Sequence, residues 1–129
     1  IPQNTNILNS SIMDNILLGN DKLNEQEVSR LLQTVGMDHK LKKTSLTILD
    51  RIEDNLSKGV KKKIHYARAL AQNSKIFLID DPFGYLDNQG VQIVQKLIES
   101  LKRANKTIIL FSDNDILTNV IDESITLGN

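Results

Sequence analysis

The 129-residue chain contains no cysteine, so no disulfide framework holds it together, and the absence fits a reducing cytosol. It has no surplus of charge of either sign. The 16 basic and 16 acidic side chains cancel, and bulk charge therefore points to no nucleic-acid or membrane-surface partner. No apolar run approaches the length of a membrane span, and no signal-like segment is present. None of the six glycines is followed by lysine, which excludes a G-x-x-x-x-G-K-[ST] phosphate-cradling loop from this chain. The two histidines, His39 and His65, are too isolated for a metal site. The length is that of one domain. The chain opens on Ile1 and not on methionine, which marks it as a piece of something longer.

What is present is concentrated between Asn55 and Asp87. Ser57 is a good N-cap, because its hydroxyl can accept from a backbone N–H of the first helical turn. Val60, Ile64, Ala67 and Leu70 follow at helical spacing as one apolar stripe. Lys58, Lys61, Lys62 and Arg68 fall mostly off that stripe, as a solvated basic face would. Free N–H groups at a helix start attract anions, so Ser57, Lys58 and Gly59 can hold a phosphate, with Gly59 open to close approach. An ordinary capped surface helix accounts for the same residues.

After the turn residues Asn73 and Ser74, the run Ile76–Ile79 is unbroken and apolar. Such a run predicts a parallel strand buried on both faces. It ends in Asp80-Asp81-Pro82, and in open α/β sheets ligands bind beyond the carboxyl ends of strands. A carboxylate there can hold Mg²⁺, and a second can orient water for attack on phosphate. A plain strand-to-turn exit is the competing reading. Pro82 biases Asp81 toward an extended backbone.

Taken together, these pieces resemble the nucleotide-binding domain of an ABC transporter. Leu56 to Leu70 matches the family's signature loop and the helix ending in ARAL. Ile76 to Asp81 matches its Walker B strand, and Gly84-Tyr85-Leu86-Asp87 its D-loop. Pro2-Gln3 and Asp14-Asn15-Ile16 resemble the stretch after the Q-loop in exporters whose membrane domain is fused to the ATPase. The resemblance implies an α/β fold, a partial P-loop NTPase of ABC type: a helical subdomain plus the remnant of a mainly parallel sheet, lacking the Walker A strand. It divides the chain into a Q-loop segment at 1–10, a helical subdomain at 11–73 that includes the signature helix, and a Walker B, D-loop and switch part of the RecA-like core at 74–129. Asp80 and Gln3 would meet Mg²⁺, Asp81 would polarise water, and Asp113 stands at the switch-histidine position. Ser57, Lys58, Gly59, Gln3 and Asp87 would meet ATP. The implied partners are an ABC membrane domain and a second nucleotide-binding domain, at the cytoplasmic face of the cell membrane.

The flanks fit this division. Ile12 to Leu18 predicts a short helix. Asn24 and Glu27 form a capping box for a helix with Val28, Leu31, Leu32 and Val35 as its stripe, and Gly36 suits its end. Residues 41–55 read as a loop with a brief extended segment at Leu46–Leu49, without the glycines that exporters carry there. Val91, Val94, Leu97, Ile98 and Leu101 stripe a helix over 88–104, and Thr107–Phe111 predicts a second buried strand. Asp113 also suits the N-cap of a short helix from about Asn114 to Val120, and Ile125-Thr126-Leu127 a last strand.

Several departures from the family bear on catalysis. Lys58 replaces the first signature glycine and Val60 the glutamine, and Asp81 stands where active members have Glu. Asp is shorter by roughly 1.5 Å. The switch histidine is Asp113. Without a phosphate-loop strand, the edges of the second and last strands would be left unpaired, open to another copy of the chain or to local disorder, and the last strand is expected to be displaced, poorly ordered or paired in a non-family way. Two functions follow: part of an ATPase that drives export, or a non-catalytic domain with a regulatory or scaffolding role. A chromosome-structure ATPase fits less well, because the short helical insert is not a coiled-coil arm.

Overall fold

The computed structural model describes residues 1–4, 6–18, 20, 22–37, 56–112 and 121–126. The expectations for His39, for Leu46–Leu49, for Asp113 and for the helix from Asn114 lie outside these residues. The described elements are α1 (Ile12–Leu17), α2 (Glu25–Thr34), α3 (Lys58–Ala71), β1 (Ile76–Asp80), α4 (Asn88–Arg103) and β2 (Thr107–Phe111).

Each described helix begins on a side-chain cap, at Asn24 and Ser57 as the sequence predicts and at Ser11 and Asp87 as the structure adds. Ser11 and Asp14 form a capping box on α1, and Asn24 and Glu27 form the expected one on α2. Ser57 Oγ accepts from Val60 N at the start of α3, and Asp87 Oδ1 accepts from Gly90 N at the start of α4. The chain leaves α2 through Gly36 at φ 69°, a left-handed conformation that a Cβ would strain. α1 and α2 both pack on α3, and α4 packs on β2. The shared core takes Ile12, Ile16, Val28, Leu32, Ile64, Ala67, Phe77, Ile79, Val94 and Ile98.

β1 and β2 pair in parallel, with Ile76 opposite Thr107 and Asp80 opposite Phe111. On the other side of β1, the Ile1 nitrogen donates to Leu78 O at 2.6 Å and Asp80 N donates to Ile1 O at 2.9 Å. Ile1 thus sits beside Ile79 in parallel register, which binds the Gln3 segment to the sheet.

Burial on both strand faces, expected from the apolar runs, does not hold. Phe77 and Ile79 are buried, whereas Ile76, Leu78, Ile109 and Phe111 are exposed. The helices cover one face only, and among the described residues nothing covers the other. The last strand, expected to be displaced or poorly ordered without its neighbour, does not form in its described part. Ile125 and Thr126 form no strand, Ile125 is 86% exposed, and Leu127 lies outside the described residues. β2 therefore has no strand on its outer edge among the described residues. A missing neighbour there leaves backbone groups without a ladder.

Candidate functional site

The first turns of α3 run along the exit of β1. Gly59 packs so closely on the segment after β1 that a Cβ would stand 2.7 Å from Tyr85 O. The close approach expected at this glycine is therefore made by a backbone carbonyl of the chain itself. The ammonium of Lys58 lies 4.6 Å from the centroid of the Tyr85 ring, a cation–π distance. Tyr85 itself has φ 65°.

One turn further in, the basic face departs from expectation. Lys62 is fully buried. Its Nζ donates to Asp80 O at 2.9 Å and to Pro2 O at 3.2 Å. Burial lowers its pKa, and the charges of Asp81 and Asp80 oppose that shift. The long stem reaches inward to two carbonyls that would otherwise be left unpaired, which is why a lysine at this position is not solvated. Tyr66, on the same face at i+4, donates its hydroxyl to Pro82 O at 2.8 Å. Burial, and then the charge of Asp81, raise the pKa of its phenol.

Asp81 lies between those two carbonyls. Its φ is 48°, not the extended value that Pro82 favours. Its N–H donates to Phe111 O at 2.8 Å, and its own carbonyl accepts from Gly84 N at 3.2 Å. These four bonds override the local preference. Asp81 Oδ2 accepts from Gln3 Nε2 at 3.5 Å, across 78 positions of sequence. The carboxylate also packs on Gly84, where a Cβ would stand 2.2 Å from Oδ2. Asp80 ends β1 with an exposed side chain.

The tertiary structure thus brings Gln3, Asp80 and Asp81 to one end of β1. It sets Ser57, Lys58 and Gly59 against the turn that carries Tyr85. Asp87 is engaged as the cap of α4. A family model described as ABC transporter matches residues 1–84.

The chain belongs to the ABC transporter family.

Its curated relatives include a Rickettsia typhi protein named as an export ATP-binding/permease protein, 31% identical over 115 residues. Another is an ATP-dependent lipid A-core flippase of Francisella tularensis, 29% identical over 114 residues. The matches cover 87% and 85% of this chain, and the chain spans 19% of the length of each relative. The solved structure of a bacterial Atm1-family ABC exporter with ATP bound matches with a TM-score of 0.70 at 25% identity. That match covers 84% of this chain and 20% of the other. The chain is thus a partial ABC-type α/β fold. None of its described helices is long and apolar enough to cross a membrane.

In this ABC fold, sequence reasoning missed Ile1, Lys62, Tyr66 and Tyr85. The i,i+4 spacing of Lys62 and Tyr66 was readable, but a lysine's stem serves equally in solvent and against a buried carbonyl. Nothing in the sequence signalled that choice. Among the described residues, no cluster of three or more acidic or histidine side chains forms a metal site of its own.

Proposed function

We propose that this chain is the C-terminal portion of the ATP-binding domain of an ABC exporter, which couples ATP binding and hydrolysis to export across a membrane. The observation that carries this reading is the meeting of Gln3 with Asp81 at the end of a parallel strand, beside a helix capped by Ser57. The relatives' printed names as export proteins support it further.

In this reading Asp80 and Gln3 would hold Mg²⁺. The donor set fits, because a carboxylate and an amide oxygen are the hard ligands that Mg²⁺ takes alongside phosphate oxygens and water. The carboxylate of Asp80 is exposed and has no hydrogen-bond partner among the described residues. Bound Mg²⁺ would supply charge stabilisation to the transferring phosphoryl group. Asp81 orients the attacking water and accepts its proton, and Gln3 holds the carboxylate in place. Ser57, Lys58 and Gly59 would offer a hydroxyl, an ammonium and backbone N–H groups to the γ-phosphate of ATP held by a second nucleotide-binding domain. Asp113 takes the switch position, and Asp87 fixes the D-loop through its cap. The fused or associated membrane domain places the site at the cytoplasmic face of the membrane.

A second reading, a non-catalytic domain with a regulatory or scaffolding role, is favoured by Lys58. Its side chain lies over Tyr85 at the position where the family has glycine. ATP turnover by the protein that carries this chain separates the two. The first reading expects Asp81→Asn to abolish turnover, and Asp81→Glu with Asp113→His to raise it. If none of these changes alters turnover, the second reading stands.

A further inference from the structure

Asp81 is a non-glycine residue held at φ 48°, and two of the four bonds that hold it come from one helix face. Lys62 Nζ takes the carbonyl of the preceding residue, Asp80, at 2.9 Å. Tyr66 Oη takes the carbonyl of the following residue, Pro82, at 2.8 Å. The two side chains are four positions apart on α3, so they project from the same face one turn apart. Both are buried, Lys62 completely and Tyr66 to 1% exposure. The same ammonium also reaches Pro2 O, one residue before Gln3.

We propose that Lys62 and Tyr66 are a two-point clamp, positioning residues that fix the backbone on either side of Asp81 and so set its carboxylate against Gln3. Neither touches the reacting atoms. They act by holding two peptide units in the orientation that a left-handed residue requires. An L-residue avoids that orientation when left free. Lys62 adds a second function through Pro2 O, because one ammonium then fixes both partners of the Gln3–Asp81 contact. The clamp also links the signature helix to the acid pair, so a displacement of α3 moves the carboxylate. The catalytic part of this inference rests on the role proposed above for Asp81.

Two substitutions in the intact protein test it. Tyr66→Phe keeps the ring and deletes the hydroxyl. Lys62→Met keeps the length of the stem and deletes the charge and the donors. The first measurement is amide hydrogen exchange in the peptide covering residues 80–84, which is independent of turnover. Each variant is expected to raise exchange there by about 5-fold or more, as a backbone restraint is lost. The second measurement is steady-state ATP turnover. A carboxylate misplaced by a fraction of an ångström lowers kcat by on the order of 10-fold, with KM within about two-fold of wild type. Unchanged exchange in both variants overturns the clamp. Raised exchange with unchanged kcat, while Asp81→Asn is inactive, overturns its positioning role. If Asp81→Asn itself leaves turnover intact, the proposed role of Asp81 fails, and exchange alone then decides whether the clamp exists. Should Lys62→Met not fold, Tyr66→Phe decides by the same criteria.

Discussion

Arg68 holds Asn15 by two hydrogen bonds, from Nη2 to Oδ1 at 2.8 Å and from Nε to the backbone carbonyl at 2.6 Å. Asn15 is fully buried. Its amide nitrogen donates to the carbonyls of Leu8, Ser10 and Ser11, and its Oδ1 also accepts from Leu8 N. One side chain therefore folds the segment before α1 back on itself and joins it to the signature helix. Arg68 is half-buried and is committed to this contact, not to solvent.

Asn15→Ala would leave several of these groups unpaired in the interior. The expected cost is about 2–4 kcal/mol of stability, read as a lowered midpoint of denaturation. Arg68→Lys keeps the charge but loses the fork that reaches both oxygens, and should cost about 1–2 kcal/mol. A cost below a few tenths of a kcal/mol for Asn15→Ala would refute its role as the joint.

His65 gives the molecule an acid-sensitive point. Its Nε2 lies 2.9 Å from Asn6 O, which calls for a proton on that nitrogen. Burial foremost, then the charge of Arg68, hold its pKa below the ordinary histidine value, and the bond to Asn6 opposes them. The folded state thus resists a proton that the unfolded state accepts at about pH 6.5. Stability from this group is complete above that pH and is lost as pH falls toward the lower folded pKa. A denaturation series from pH 8 to 5 should show this fall, and His65→Asn should flatten it. Stability that rises on acidification in the wild type would contradict the assignment.

Gly59→Ala places a methyl group against a backbone carbonyl, Tyr85 O, which cannot rotate away. The start of α3 and the turn at Tyr85 must separate by several tenths of an ångström. If Ser57 and Gly59 serve a phosphate, ATP turnover should fall on the order of 10-fold or more. Wild-type turnover in this variant would remove Gly59 from the site.

The Lys58–Tyr85 pair should be measurable by a double-mutant cycle with Lys58→Ala and Tyr85→Leu. A cation–π contact at a partly exposed position is worth about 0.5–1 kcal/mol. A coupling near zero would show that the two side chains are merely adjacent.

Local signals read well in this chain because the forces behind them are local. Ser57 and Asn24 cap their helices wherever those helices pack, since the orphan N–H groups lie within three residues of each cap. The helical stripes of α2, α3 and α4 pointed to the core for the same reason. The apolar runs of β1 and β2 gave strands but not their burial. Whether Leu78 or Ile109 is covered depends on what lies across the sheet, not on the residue.

The sequence alone determined the order of the described elements, the caps of α2 and α3, and the family, because motif spacing survives in one dimension. Only the tertiary structure decided that Lys62 turns inward, that Asp81 leaves the extended conformation, and that Gln3 meets it. Those outcomes follow from carbonyls of distant segments that need partners at one place. No local preference of Lys62, Asp81 or Gln3 encodes where such carbonyls will be.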